Sequence, residues 1–147
     1  MGLGILVIGG LLFWYLLTPA SSVTNFPSRG TDIVAFGDSL VEGVGTTPGA
    51  DFVSLLEKRI GHRIINLGVS GNTTEQGLAR LHEIDAYDPK VVILLLGGND
   101  YLKRVPPDET FGNLAKIIEY AQSRGAIVLL LGVRGGILND NFDSRFE

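Results

Sequence analysis

Residues 91–96, VVILLL, constrain the fold of this 147-residue chain more than any other stretch. A strand with one wet face alternates apolar and polar residues. Six apolar residues in succession suit a strand covered on both faces, as in the middle of a parallel sheet. Shorter runs of the same kind occur at residues 32–36 (DIVAF), 63–67 (RIINL) and 127–131 (IVLLL). Between them the period changes. Phe52, Leu55, Leu56 and Ile60 fall at helical spacing within residues 51–60, with Gly61 as a stop. Thr73 or Thr74 can cap a helix through residues 76–81, and residues 108–124 place Phe111, Leu114, Ile117, Ile118 and Ala121 on one side before Gly125 ends the pattern. The order β-α-β-α-β-α-β predicts a three-layer α/β/α sandwich on a parallel sheet, with right-handed crossovers.

In an open parallel sheet, ligands bind outside the carboxyl ends of the strands. Three unusual turns sit there: Gly37-Asp38-Ser39-Leu40, Gly68-Val69-Ser70-Gly71-Asn72 and Gly97-Gly98-Asn99-Asp100. Together they supply parts for acyl transfer. A serine hydroxyl presented at a turn is a nucleophile in waiting. A developing oxyanion needs preorganised donors, and the backbone N–H groups of Ser39 and Gly71 and the carboxamide of Asn99 are candidates. Glycine at 71 is expected because a Cβ there would crowd the acyl group. Each turn also has a plain reading: a helix cap for Gly37-Asp38-Ser39, an ordinary loop for Gly71-Asn72, and a type I′-like turn or phosphate cradle for residues 97–100.

The three blocks, residues 33–40, 66–74 and 96–100, resemble those of the GDSL/SGNH hydrolases, and residues 77–81 are similar to the subgroup of bacterial thioesterase I, lysophospholipase L1 and arylesterase enzymes. The resemblance implies a flavodoxin-like SGNH fold and a cofactor-free serine hydrolase acting on esters or thioesters. By position it makes Ser39 the nucleophile and Gly71 and Asn99 oxyanion-hole donors. It also implies an Asp-x-x-His block near the end of the domain, and no Asp-x-x-His occurs in this chain. The domain is therefore expected to be incomplete at its C-terminus, and the chain inactive or nearly so. His62 precedes the second strand, so about five residues at 3.3 Å each, roughly 16 Å, separate it from the rim. His82 lies roughly 13 Å along the helix that starts at the rim. A base must approach the hydroxyl to about 3 Å, so both histidines read as surface residues.

Residues 3–17 form an unbroken apolar and glycine run. They read as an uncleaved anchor, with Trp14 and Tyr15 as interfacial aromatics, or as a signal peptide cut after Ser22. Either sends the domain to the cell envelope. The expected organisation is a signal or anchor at 1–20, a Ser/Pro/Gly-rich linker at 21–30 and a hydrolase domain at 31–147. Net charge is −4 without a basic cluster, which argues against nucleic acid as partner. Cysteine is absent and the two histidines lack ligand spacing, so no metal site is expected. A small acyl ester or thioester, lysophospholipid included, is the expected substrate, and a membrane the expected partner of the N-terminal run. A carbohydrate deacetylase of the same superfamily and a flavodoxin-like phosphate-binding module are the alternatives. Val44, Leu102 and Val105 are candidate acyl-pocket walls, while Lys103 and Arg104 read as solvated charge or as partners for a phosphate or carboxylate.

Overall fold

The structure is a computed structural model and describes residues 23–132. The expected apolar segment and most of the polar tail lie outside those residues. Four strands, β1 (Asp32–Gly37), β2 (Ile64–Gly68), β3 (Pro89–Leu95) and β4 (Ile127–Leu130), form one parallel sheet in the order β2-β1-β3-β4. The helices are α1 (Ser39–Glu42), α2 (Phe52–Ile60), α3 (Thr74–Ala79), α4 (Gly98–Leu102) and α5 (Pro107–Ser123), with a 3₁₀ turn at Leu81–Ala86 after α3. Among the described residues no helix is long and apolar enough to cross a membrane.

The continuous apolar runs have the predicted cause. On one face Val34, Phe36, Val92, Leu94 and Leu96 pack with Leu81, Ile84, Leu114, Ile117 and Ala121 from the 3₁₀ turn and α5. On the other, Ala35, Ile93, Leu95 and Ile64 pack with Val41 and Val53 from α1 and α2. Alternate residues of one strand thus serve two cores, and no polar position remains.

Helix α3 starts at the expected Thr73 cap and ends earlier than its spacing predicts, at Ala79. Thr73 caps it and Gln76 reaches back to the Thr73 N–H, a reciprocal pair that fixes the start. The chain then tightens into the 3₁₀ turn, which buries Leu81 and Ile84. Helices α1 and α4 are too short for any periodicity to reveal them. The described part of the linker lies against the domain: Asn25 Nδ2 donates to the carbonyls of Gln122 (2.7 Å) and Ala126 (3.0 Å).

The strand order reverses between β1 and β3. The chain leaves β1 toward β2 on one side, while β3 continues to β4 on the other, so a crevice opens at their carboxyl ends. Two glycines let the nucleophile turn sit close to the sheet. A Cβ at Gly37 would strike the Leu95 carbonyl and Val41, and one at Gly68 would strike the backbone of Glu42.

Gly68→Ala should therefore destabilise the fold by about 1–3 kcal/mol or more through overpacking. Gly112→Ala is its control: Gly112 lies within α5 with open space around it, and alanine there should stabilise by roughly 1 kcal/mol. Urea unfolding midpoints of the two variants should move in opposite directions.

Candidate active site

The carboxyl end of β1 presents the first group. Asp38 caps α1, its Oδ1 accepting from the Leu40 N–H at 3.0 Å. Ser39, the first helical residue, stays partly exposed while Asp38 is 3% exposed. The opening N–H groups of a helix have no partner inside it. Among the described residues, neither the N–H nor the hydroxyl of Ser39 bonds to protein.

The loop after β2 presents the second. Gly71 has φ +76°, in the left-handed region where a side chain is strained. Nothing of the protein lies within 4 Å of a Cβ built there, so within the protein it is backbone conformation that favours the glycine. Its neighbours are all engaged. The Ser70 N–H donates to Glu42 Oε2 at 2.6 Å, the Asn72 N–H to the Val69 carbonyl at 3.2 Å, and Lys103 Nζ to the Gly71 carbonyl at 3.0 Å. The exposed Gly71 N–H has no acceptor among the described residues.

Asn99, in the first turn of α4, joins the two loops. Its Nδ2 donates to Asp38 Oδ2 (3.3 Å) and to the Asn72 carbonyl (3.0 Å). The carboxamide therefore bonds to the residue before Ser39 and to the residue after Gly71. Ser39 and Asn99 stand in the first turns of α1 and α4 and Gly71 in the loop after β2, and the Asn99 side chain bonds to the flanks of the other two at the switch point.

Burial pushes the Asp38 carboxyl above its ordinary value. The Leu40 N–H opposes that shift, and the nearby Asp100 adds to it. Asp100 is fully buried and held by the Thr74 N–H (2.9 Å) and hydroxyl (2.6 Å), while Asn113 Nδ2 donates to the Thr74 hydroxyl at 3.2 Å. That network ties α4 to α3 and α5.

Arg80 carries the rim, and no sequence signal assigned it that task. Its guanidinium donates to the carbonyls of Gly37 (2.8 Å) and Leu67 (3.0 Å), to Asn72 Oδ1 (2.7 Å) and to Glu83 Oε2 (2.9 Å). It also lies 4.1 Å from the centre of the Phe36 ring. Asp38, Asn72 and Glu42 were likewise not singled out. Of these only Asp38 had a local signal, its place before a serine at a strand end.

Both histidines are exposed, His62 ahead of β2 at the opposite edge and His82 in the 3₁₀ turn. Val44 and Leu102 are 59% and 73% exposed. Val105 instead borders a cavity of about 300 Å³ with Thr73, Glu75, Gln76, Lys103 and Glu109, a polar wall rather than an acyl channel. Arg104 is exposed at φ +59°. Among the described residues, no group of three or more His, Asp or Glu side chains is placed to hold a metal.

The model of the GDSL-like lipase/acylhydrolase family matches residues 35–146. Esterase TesA of Pseudomonas aeruginosa is 33% identical over 147 residues, covering 96% of this chain and 68% of that protein. Thioesterase 1/protease 1/lysophospholipase L1 of Escherichia coli K12 is 30% identical over 138 residues, 91% of this chain and 65% of that one. Among solved structures, AlinE4, an SGNH-hydrolase family esterase, superposes with a TM-score of 0.69 at 38% identity, over 81% of this chain and 69% of its own. A crystal structure of TesA gives 0.70 at 34% identity over 79% and 66%. The chain thus spans about two thirds of the length of these relatives.

A raised carboxyl pKa means that the folded state holds the Asp38 proton more tightly than the unfolded state does. The resulting stability is present below the ordinary carboxylate range and is lost as pH rises through the raised value. The native chain should therefore lose stability relative to Asp38→Asn across that window. Urea midpoints measured at stepped pH check this; a native chain that gains on the variant as pH rises contradicts it.

Proposed function

Since the chain belongs to the GDSL-like lipase/acylhydrolase family, we propose that Ser39, Gly71 and Asn99 form the acyl-transfer site of a carboxylic-ester or thioester hydrolase. The observation that carries this reading is the Asn99 carboxamide, bonded at once to Asp38 and Asn72 between the loops whose Ser39 and Gly71 N–H groups have no acceptor among the described residues. The Ser39 hydroxyl attacks the substrate carbonyl carbon, the tetrahedral intermediate expels the alcohol or thiol, and water later releases the acyl group from the serine. Negative charge on the former carbonyl oxygen meets the N–H groups of Ser39 and Gly71 and Asn99 Nδ2. Both Nδ2 hydrogens are engaged, and the 3.3 Å bond to Asp38, the longer of the two, is the one the oxyanion displaces. Each such donor contributes about 2.7–4 kcal/mol to lowering the barrier.

The attack needs a base, and the chain's only histidines are His62 and His82. With both at the surface, the 147-residue polypeptide by itself is inactive or nearly so; losing a triad histidine costs around 10⁶ in kcat in the serine protease subtilisin. Relatives named esterase, arylesterase and thioesterase/lysophospholipase make small acyl esters and thioesters the substrate class, lysophospholipids among them. The apolar run at residues 3–17 would attach the domain to a membrane, or export it, placing it in the cell envelope.

Hydrolysis of p-nitrophenyl butyrate by the purified chain tests the reading. Release should stay far below that of a complete triad. Added imidazole, a diffusible base, should raise it in the native chain but not in Ser39→Ala, and Asn99→Ala should cut the imidazole-dependent rate by roughly 10²–10³. Triad-level turnover that Ser39→Ala abolishes would overturn the inactivity. An imidazole effect equal in native chain and Ser39→Ala would remove Ser39 from the mechanism.

A further inference from the structure

The loop that carries Gly71 touches two charged side chains from the neighbouring helices. Glu42, at the end of α1, accepts the Ser70 N–H at 2.6 Å. Lys103, directly after α4, donates to the Gly71 carbonyl at 3.0 Å. The peptide between these contacts, Ser70–Gly71, is the one whose N–H has no acceptor among the described residues. Resting on the oxyanion-hole reading above, we propose that Glu42 and Lys103 are positioning residues that register this peptide against the other two donors.

The helices from which they reach give the reason. Helix α1 begins with Ser39, so Glu42 ties the loop to the nucleophile. Asn99 lies in α4, so Lys103 ties the loop to the carboxamide. Gly71 at φ +76° is the most permissive hinge in the loop, and no side chain packs against it to limit rotation. The loop is exposed, so burial does not hold it. Both contacts are charge-assisted hydrogen bonds, shorter and roughly twice as strong as neutral ones. Their free energy at the surface is small, but their effect is on position. An oxyanion donor acts only at about 2.7–3.1 Å from the oxygen it stabilises, and a displacement of about 1 Å can cost 10²-fold. The two contacts also differ electrostatically. The Lys103 ammonium favours negative charge developing beside Gly71, whereas the Glu42 carboxylate opposes it. Hydrogen bonding rather than charge is therefore the contribution of Glu42, and glutamine can supply the same acceptor.

The test uses the full ¹⁵N-labelled chain and phenylboronic acid. Ser39 Oγ adds to boron with release of a proton, and a boron-bound oxygen then lies where the oxyanion forms. In Glu42→Ala, Ser70 amide exchange should accelerate at least tenfold, and the phenylboronic acid Kd read from the Gly71 amide should weaken roughly tenfold. Lys103→Met should weaken binding similarly. Glu42→Gln and Lys103→Arg, which keep the hydrogen bonds, should stay within threefold of the native chain on both measures, and α5 amide shifts should be unchanged throughout. Native-like Ser70 exchange and boronate affinity in Glu42→Ala would overturn the proposal, as would Glu42→Gln behaving like Glu42→Ala. If phenylboronic acid leaves the native Gly71 amide unmoved, the oxyanion-hole reading fails. Ser70 exchange then decides the clamp by itself: acceleration in Glu42→Ala supports it and native exchange rejects it.

Discussion

Arg80 sends a guanidinium, its side chain only 11% exposed, beneath the loops at the carboxyl ends of β1 and β2. Carbonyls at the ends of parallel strands keep lone pairs to satisfy where the chain turns away, and the Gly37 carbonyl, which already accepts the Val69 N–H at 3.0 Å, takes a second donor here. One planar fork answers two of them, Gly37 and Leu67, and adds the side chain of Asn72. The last residue before the nucleophile turn and the residue after Gly71 are thereby bound to the same rigid cation. Glu83 and the Phe36 ring offset the burial of its charge. Lysine has neither the planarity nor the donor count to replace it.

From Arg80 the order spreads through polar side chains. Asn72 accepts from Arg80 on its side chain and from Asn99 on its backbone. Asn99 reaches Asp38, and Asp38 caps the helix that opens with Ser39. Behind this line Asp100 and Thr74 fasten α4 to α3. Burial raises the Asp38 carboxyl pKa, and the neighbouring Asp100 carboxylate adds to that shift. The carboxylates fix the carboxamide and the serine turn in one arrangement, and the cost of burying them is borne by the two hydrophobic cores on either side of the sheet.

Much of the frame was legible in the residues alone. The strand runs at 32–36, 63–67, 91–96 and 127–131 lie within about two residues of the observed β1 to β4; the central β1 and β3 feed the cores on both faces, while β2 carries the exposed Asn66 and β4 leaves Leu129 and Leu130 exposed at the sheet edge. The three turns were legible as well, since parallel topology places every strand's carboxyl end on one rim. Helices α1 and α4 were not, because four or five residues carry no period, whereas the Thr73 cap of α3 was legible and only its early end, before the 3₁₀ turn, was not. For Gly71 the structure adds a left-handed backbone as a reason for glycine beside the expected room for an acyl group.

By itself, then, the sequence determined the layered parallel architecture, the rim on which chemistry could gather, and Ser39, Gly71 and Asn99 as its candidates. These follow from local periodicity and from the handedness and connectivity of parallel sheets. Only the tertiary structure decided which side chains hold those candidates in register. Arg80 meets Gly37 across 43 residues, Glu42 meets Ser70 across 28, and Lys103 meets Gly71 across 32. No local pattern encodes such pairs. They exist because packing brings helix ends and strand ends together, and unpaired polar groups there are left to choose partners by distance.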